Sequence, residues 1–140
     1  MDKLTIRFHP ILPLKKIERK IHFELDKLTR ILISENNSSI FDDLTKSDVV
    51  IYWDTTVALE ALRMGIPLIH YQMGNFISYD PLFECNYLKW ECTNRDSLVK
   101  IIESIYELSD KKYSEKYLLA KHYISQYFHP VTDYNLNKFI

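Results

Sequence analysis

Nothing constrains the fold of this chain more than the stretch from Asp48 to Tyr71. Val49, Val50 and Ile51 form an unbroken apolar run, which suits a parallel strand covered on both faces. The run is expected to extend to Trp53 and to end in a polar turn, Asp54 to Thr56, whose side chains can accept hydrogen bonds from the free N–H groups opening a helix. That helix is expected over Val57 to Met64. Gly65 can take the left-handed conformation that stops it, Pro67 blocks its continuation, and Leu68 to Tyr71 resumes as a second buried strand. Strand, turn, helix and strand in this order are half of a nucleotide-binding α/β unit.

The same alternation runs along the rest of the chain. Leu4 to Phe8 reads as a first strand, closed by His9-Pro10. Leu14, Ile17, Ile21, Leu25 and Leu28 recur at three- and four-residue intervals, the pattern of an amphipathic helix. Ile31 to Ile33 reads as a short strand, and Ser39 with Asp42 resembles a capping box for a short helix ending near Lys46. Leu88 to Cys92 is a fifth strand. Thr93 with Asp96 is expected to cap a helix from Asn94 to Leu108, and a last helix is expected from Lys112 to Tyr127, with a further turn in the tail. Strands separated by helix-length segments imply parallel pairing through right-handed crossovers, so the fold class is α/β.

Composition narrows the function. With 140 residues the chain is expected to be a single domain, residues 1–140, without repeats or linkers. A net charge of −1 without a basic tract argues against nucleic acid as a partner. No apolar run reaches the ~18 residues of a membrane span. The polar N-terminus does not read as a signal peptide, and the two cysteines, Cys85 and Cys92, lack metal-ligand spacing, so a cytoplasmic setting with reduced thiols is expected and no metal site is read. Only two glycines occur, which excludes the dinucleotide fingerprint and the Walker loop.

In parallel α/β sheets, ligands bind beyond the carboxyl ends of the strands. That rule selects His9 after the first strand, Ser34 and Glu35 after the second, Asp54 to Thr56 after the third and Gln72 to Asn75 after the fourth. Thr55 and Thr56 either cap their helix or add hydroxyls to a helix N-terminus able to hold a phosphate. His9 either bonds locally or, with an unperturbed pKa of ~6.5, reaches a phosphate or leaving group. Glu60 is either a solvated helical carboxylate or an acceptor for ribose hydroxyls. His70, on a buried strand, reads as a hydrogen-bonded core residue, and Asp54 as a helix cap. His22, His122 and His129 fall in or beside helices, where solvated or structural roles are the default. Tyr52, Trp53 and the aromatic segment from Phe76 to Tyr87 read as core, whereas Tyr113, Tyr117, Tyr123 and Tyr127 read as cover for a partner domain.

His9-Pro10 and the run from Asp48 to Ile69, above all Thr55-Thr56, Ala58, Glu60-Ala61, Gly65 and Pro67, resemble the C-terminal, donor-binding half of GT-B glycosyltransferases of the bacterial surface- and capsular-polysaccharide group. The resemblance implies a Rossmann-like, three-layer domain with a mostly parallel sheet of about five strands. It implies that His9, Thr55 and Thr56 face the phosphate of a nucleotide-activated sugar, His9 stabilising the leaving group. Glu60 would hold the donor ribose, and Ser34 and Glu35 would lie near the nucleobase. No metal or cofactor is implied beyond the nucleotide-sugar donor. Such enzymes have two domains, so an N-terminal acceptor domain or partner chain is expected, with peripheral membrane association through that partner. The strand, loop and helix that usually open the donor domain have no counterpart ahead of His9-Pro10. Other readings are a non-catalytic nucleotide-binding module, a transferase of nucleotide-activated polyol phosphates, and a response-regulator-like interaction domain. The last would need an acidic cluster after the first strand, and Leu4 to Pro10 has none.

Overall fold

The computed structural model describes residues 3–8, 31–34, 39–72, 74, 77–130 and 132–137. The expected helix over Leu14 to Leu28 lies outside them. The chain divides into two compact units, residues 1–46 and 47–140.

In the first unit, β1 (Leu4–Ile6) and β2 (Ile31–Ile33) pair in parallel, Leu4 opposite Ile31 and Ile6 opposite Ile33. The ladder continues one step, from the Ser34 N–H to the Ile6 carbonyl at 2.8 Å. Helix α1 (Ile40–Leu44) starts where expected, because Ser39 accepts the Phe41 N–H at 3.2 Å. That bond satisfies one of the donors a helix start leaves open.

The second unit is a three-stranded parallel sheet, in the order β3 (Val50–Tyr52), β4 (Leu68–Tyr71), β5 (Lys89–Cys92). Helix α2 (Val57–Arg63) joins β3 to β4, and α3 (Arg95–Tyr106), α4 (Asp110–Ile124) and α5 (Asp133–Leu136) follow β5. The α/β class and the parallel pairing hold among the described residues, but the five strands form two sheets, of two and three strands, not one.

Two helix starts differ from expectation. Asn94, not Thr93, caps α3. Its side chain takes the Ser97 N–H at 2.9 Å while the Ser97 hydroxyl takes the Asn94 N–H at 3.2 Å, the reciprocal arrangement of a capping box one residue along. Ser109 accepts the Lys112 N–H and brings the start of α4 forward to Asp110.

Alternation along the strands gives the sheet two unlike faces. On one, Ile69 and Cys92 pack with Ile105 of α3, and Trp90, Leu98, Ile101 and Ile102 close around them. Strand register places Tyr52, His70 and Glu91 side by side on the other, with Lys89 one step back along β5. Gly65, at φ 81°, ends α2 as its sequence position suggests. It also permits a close approach: a Cβ there would stand 2.9 Å from the Tyr113 hydroxyl and 3.0 Å from the Tyr117 ring. Those two hydroxyls donate to the Gly65 and Arg63 carbonyls, at 2.7 and 3.3 Å. Both side chains thus serve contacts within the chain. The segment from 77 to 88 is anchored by buried Leu82, Cys85 and Leu88, whereas Ile77, Tyr79 and Phe83, expected in or beside the core, are 71–78% exposed. Trp53, also expected in the core, falls outside β3 and is exposed, while Tyr52 is buried.

Candidate functional site

The carboxyl ends of β3 and β4 carry the residues of interest in the second unit. After Tyr52 the chain turns through Asp54, whose φ of 44° is one that few non-glycine residues adopt and that aspartate tolerates. The turn delivers Thr55 and Thr56 to the start of α2. The Thr55 hydroxyl accepts the Val57 N–H at 3.4 Å, whereas Thr56, at the cap position, is exposed and makes no capping bond through its side chain. Glu60 is exposed in the first turn of the same helix. Thr55, Thr56 and Glu60 therefore share one strand–turn–helix element. Ser34 belongs to the first unit, where its hydroxyl donates to Asp43 at 2.6 Å and accepts from Arg7 at 3.2 Å. Arg7 and Asp43 also pair at 2.6 Å. The Ser34 hydrogen bond, together with the hydrogen bond and charge of the Arg7 guanidinium, holds the Asp43 carboxyl below its usual range. His9 and Glu35 lie outside the described residues.

Beside the Asp54 turn is a polar cluster in which the side chains of His70, Asp80 and Lys89 are buried while Gln72, Ser78 and Glu91 reach solvent. His70 is 2% exposed, and its Nδ1 lies 2.7 Å from Glu91 Oε2. A carboxylate only accepts, so this contact places a proton on Nδ1. Nε2 faces the Ser78 hydroxyl at 3.4 Å and the Asp54 carboxylate at 3.6 Å. Ser78 in turn donates to Asp54 at 2.9 Å. Lys89 Nζ sits 2.6 Å from both Asp80 and Glu91 and donates to the Leu82 carbonyl at 2.9 Å. Asp80 also takes the Tyr52 hydroxyl at 2.8 Å and the Leu82 N–H at 2.9 Å. Gln72 donates to Glu91 at 3.0 Å.

Burial opposes the charges on Asp80, Glu91 and Lys89, and the partners win. It works to raise the Asp80 and Glu91 carboxyls, yet Lys89, joined by the Leu82 N–H and Tyr52 at Asp80 and by His70 at Glu91, holds both below their usual range. It works to lower Lys89, yet the two carboxylates hold the ammonium above its usual value. Burial and the Asp80 bond together push the Tyr52 phenol upward. Among the described residues no buried side-chain nitrogen or oxygen lacks a partner. Ligand atoms of His70, Asp80 and Glu91 lie within 4.8 Å of one another, a spacing compatible with a metal ion. The Lys89 ammonium, however, already supplies the positive charge between the two carboxylates, and a cation would have to displace it.

His70 is, as its sequence setting suggests, a buried and hydrogen-bonded residue. Asp80, Ser78, Lys89 and Glu91 were not marked by any motif. The available signal was the polar alternation Lys89-x-Glu91 in a strand beside one that buries a histidine, because buried polar groups require partners.

Comparisons with protein-family models, with curated proteins and with solved structures return no match for this chain.

Proposed function

We propose that the chain is the nucleotide-sugar donor-binding half of a GT-B-type glycosyltransferase acting in cytoplasmic steps of surface or capsular polysaccharide synthesis. The observation that carries this reading is the parallel β3–turn–α2–β4 element, which sets Thr55 and Thr56 at the carboxyl edge of the sheet and exposes Glu60 one turn along α2. It is the element on which the sequence resemblance rests. An unpaired Thr56 hydroxyl beside the first N–H groups of a helix suits a phosphate, and a carboxylate a turn away suits two ribose hydroxyls. His9 is assigned to the same phosphate by the resemblance alone. Catalysis would come from neutral donors stabilising the departing phosphate, with the acceptor domain supplied separately. None of the described helices is long and apolar enough to cross a membrane, so attachment to a membrane would run through that partner.

Titration with UDP, CMP, CDP and GDP, followed by amide shifts in NMR spectra, tests the reading. One of these nucleotides should shift Thr55, Thr56 and Glu60, and Thr56→Val should weaken its binding by roughly five- to tenfold, the worth of one hydrogen bond. No binding at millimolar nucleotide, or shifts confined to other residues, overturns it. Binding without sugar transfer when an acceptor domain is supplied would favour a non-catalytic module.

A further inference from the structure

The cluster around His70 contains an arrangement that nucleotide binding does not use. Ser78 is exposed, His70 lies behind it, and Glu91 lies behind His70, with contacts of 3.4 Å at Nε2 and 2.7 Å at Nδ1. We propose that Ser78, His70 and Glu91 form a nucleophile, general base and orienting carboxylate for acyl transfer, with small activated carboxylic esters as substrates.

Tautomer and access follow from the contacts. Glu91 fixes the proton on Nδ1, which leaves the Nε2 lone pair of the neutral ring toward Ser78. The Ser78 hydroxyl donates to Asp54 at 2.9 Å and can turn between that carboxylate and Nε2. Contacts of this length are usual before a substrate tightens them. The imidazolium formed when Nε2 takes the proton faces Glu91 and Asp80 on one side and Asp54 on the other, all acidic. Lys89 restrains Glu91 and Asp80 from behind, so the base is held by a buried lysine and aspartate and a half-exposed glutamate while the hydroxyl meets solvent. Next along the chain, the Tyr79 N–H has no acceptor among the described residues, which leaves a donor beside the nucleophile for a developing oxyanion.

Ser78 Oγ bonds to the ester carbonyl carbon as its proton passes to Nε2, and the ester C–O bond breaks as that proton passes to the leaving alcohol. Water, deprotonated by the same nitrogen, then releases the acid and restores Ser78. This activity stands apart from donor binding, and its failure would leave that reading untouched.

The test incubates the full chain with an alkyl fluorophosphonate, which forms an Oγ–P bond with loss of fluoride, and maps the adduct by peptide mass. Hydrolysis of p-nitrophenyl acetate is followed in parallel. Adduct on Ser78 is expected, with hydrolysis falling roughly 100-fold or more in Ser78→Ala. Glu91→Gln, which keeps an acceptor for Nδ1 but removes the charge, should slow labelling without moving it. Ser78→Ala loses the bonds of an exposed hydroxyl to Asp54 and to the Asp80 N–H, at 2.9 and 3.3 Å, so it should still fold with a modestly lower melting temperature even if His70→Gln does not fold. No adduct, an adduct on another residue, or unchanged hydrolysis in a folded Ser78→Ala overturns the proposal.

Discussion

Arg7, Ser34 and Asp43 in the first unit, and Lys89, Asp80, Glu91 and His70 in the second, are built from similar parts: a basic side chain, a carboxylate and groups that bridge them. They differ in depth. The Arg7 and Asp43 side chains are 26% and 23% exposed, those of Lys89 and Asp80 3% and 4%. Water screens the first pair, and such pairs are worth ~0–1 kcal/mol. Lys89 and Asp80 have lost their water, although Glu91 beside them keeps part of its own, so removing either member of the buried pair strands the other. Similar chemistry thus makes an accessory on one sheet and an obligation on the other.

Lys89→Met should show the contrast most strongly. It leaves the Asp80 carboxylate buried without its cation and should cost about 3–5 kcal/mol by chemical denaturation. The matching Arg7→Met should cost about 1 kcal/mol or less. Equal losses would break the comparison.

Acid should separate the clusters next. Asp80 and Glu91 titrate below their ordinary values of 3.8 and 4.5, so their stabilisation is complete above those values and is lost as pH falls through the lower folded ones. Lys89 titrates above its ordinary 10.5, so its contribution is complete below that pH and is lost as pH rises past the folded value. The part of a melting-temperature profile that Asp80, Glu91 and Lys89 contribute should therefore be flat from about pH 5 to 10. Its acid limb should shrink in Lys89→Met.

Within the buried cluster a smaller effect than that of Lys89→Met is expected from Tyr52→Phe, which removes one bond to a buried carboxylate that keeps two others, at a cost of about 1.5 kcal/mol. A cost near that of Lys89→Met would mean that the phenol, not the ammonium, holds Asp80 in place.

The contrast also shows why part of the molecule was legible in its sequence. The β3–α2–β4 element could be read because each boundary is written locally: an apolar run, a polar turn, Gly65 and Pro67. Ser39 marked α1 for the same reason. The start of α3 was misread by one residue because Thr93, Asn94, Asp96 and Ser97 are all able caps, and only the observed bonds choose among them. The buried cluster was not legible as a cluster, since its contacts join residues 21 and 28 positions apart and depend on strand register. Exposure in the 77–88 segment was misjudged because aromatic content suggested burial, while aliphatic Leu82 and Leu88 carry the anchoring.

One consequence follows from the tyrosines of α4. Helix α2 is seven residues long, about 10 Å from end to end, so its two ends are mechanically one object. Tyr113 and Tyr117 grip its far end through Arg63 and Gly65, and the threonine turn forms its near end. The C-terminal third of the chain, distant in sequence from any proposed ligand, is therefore the buttress that keeps that turn aimed.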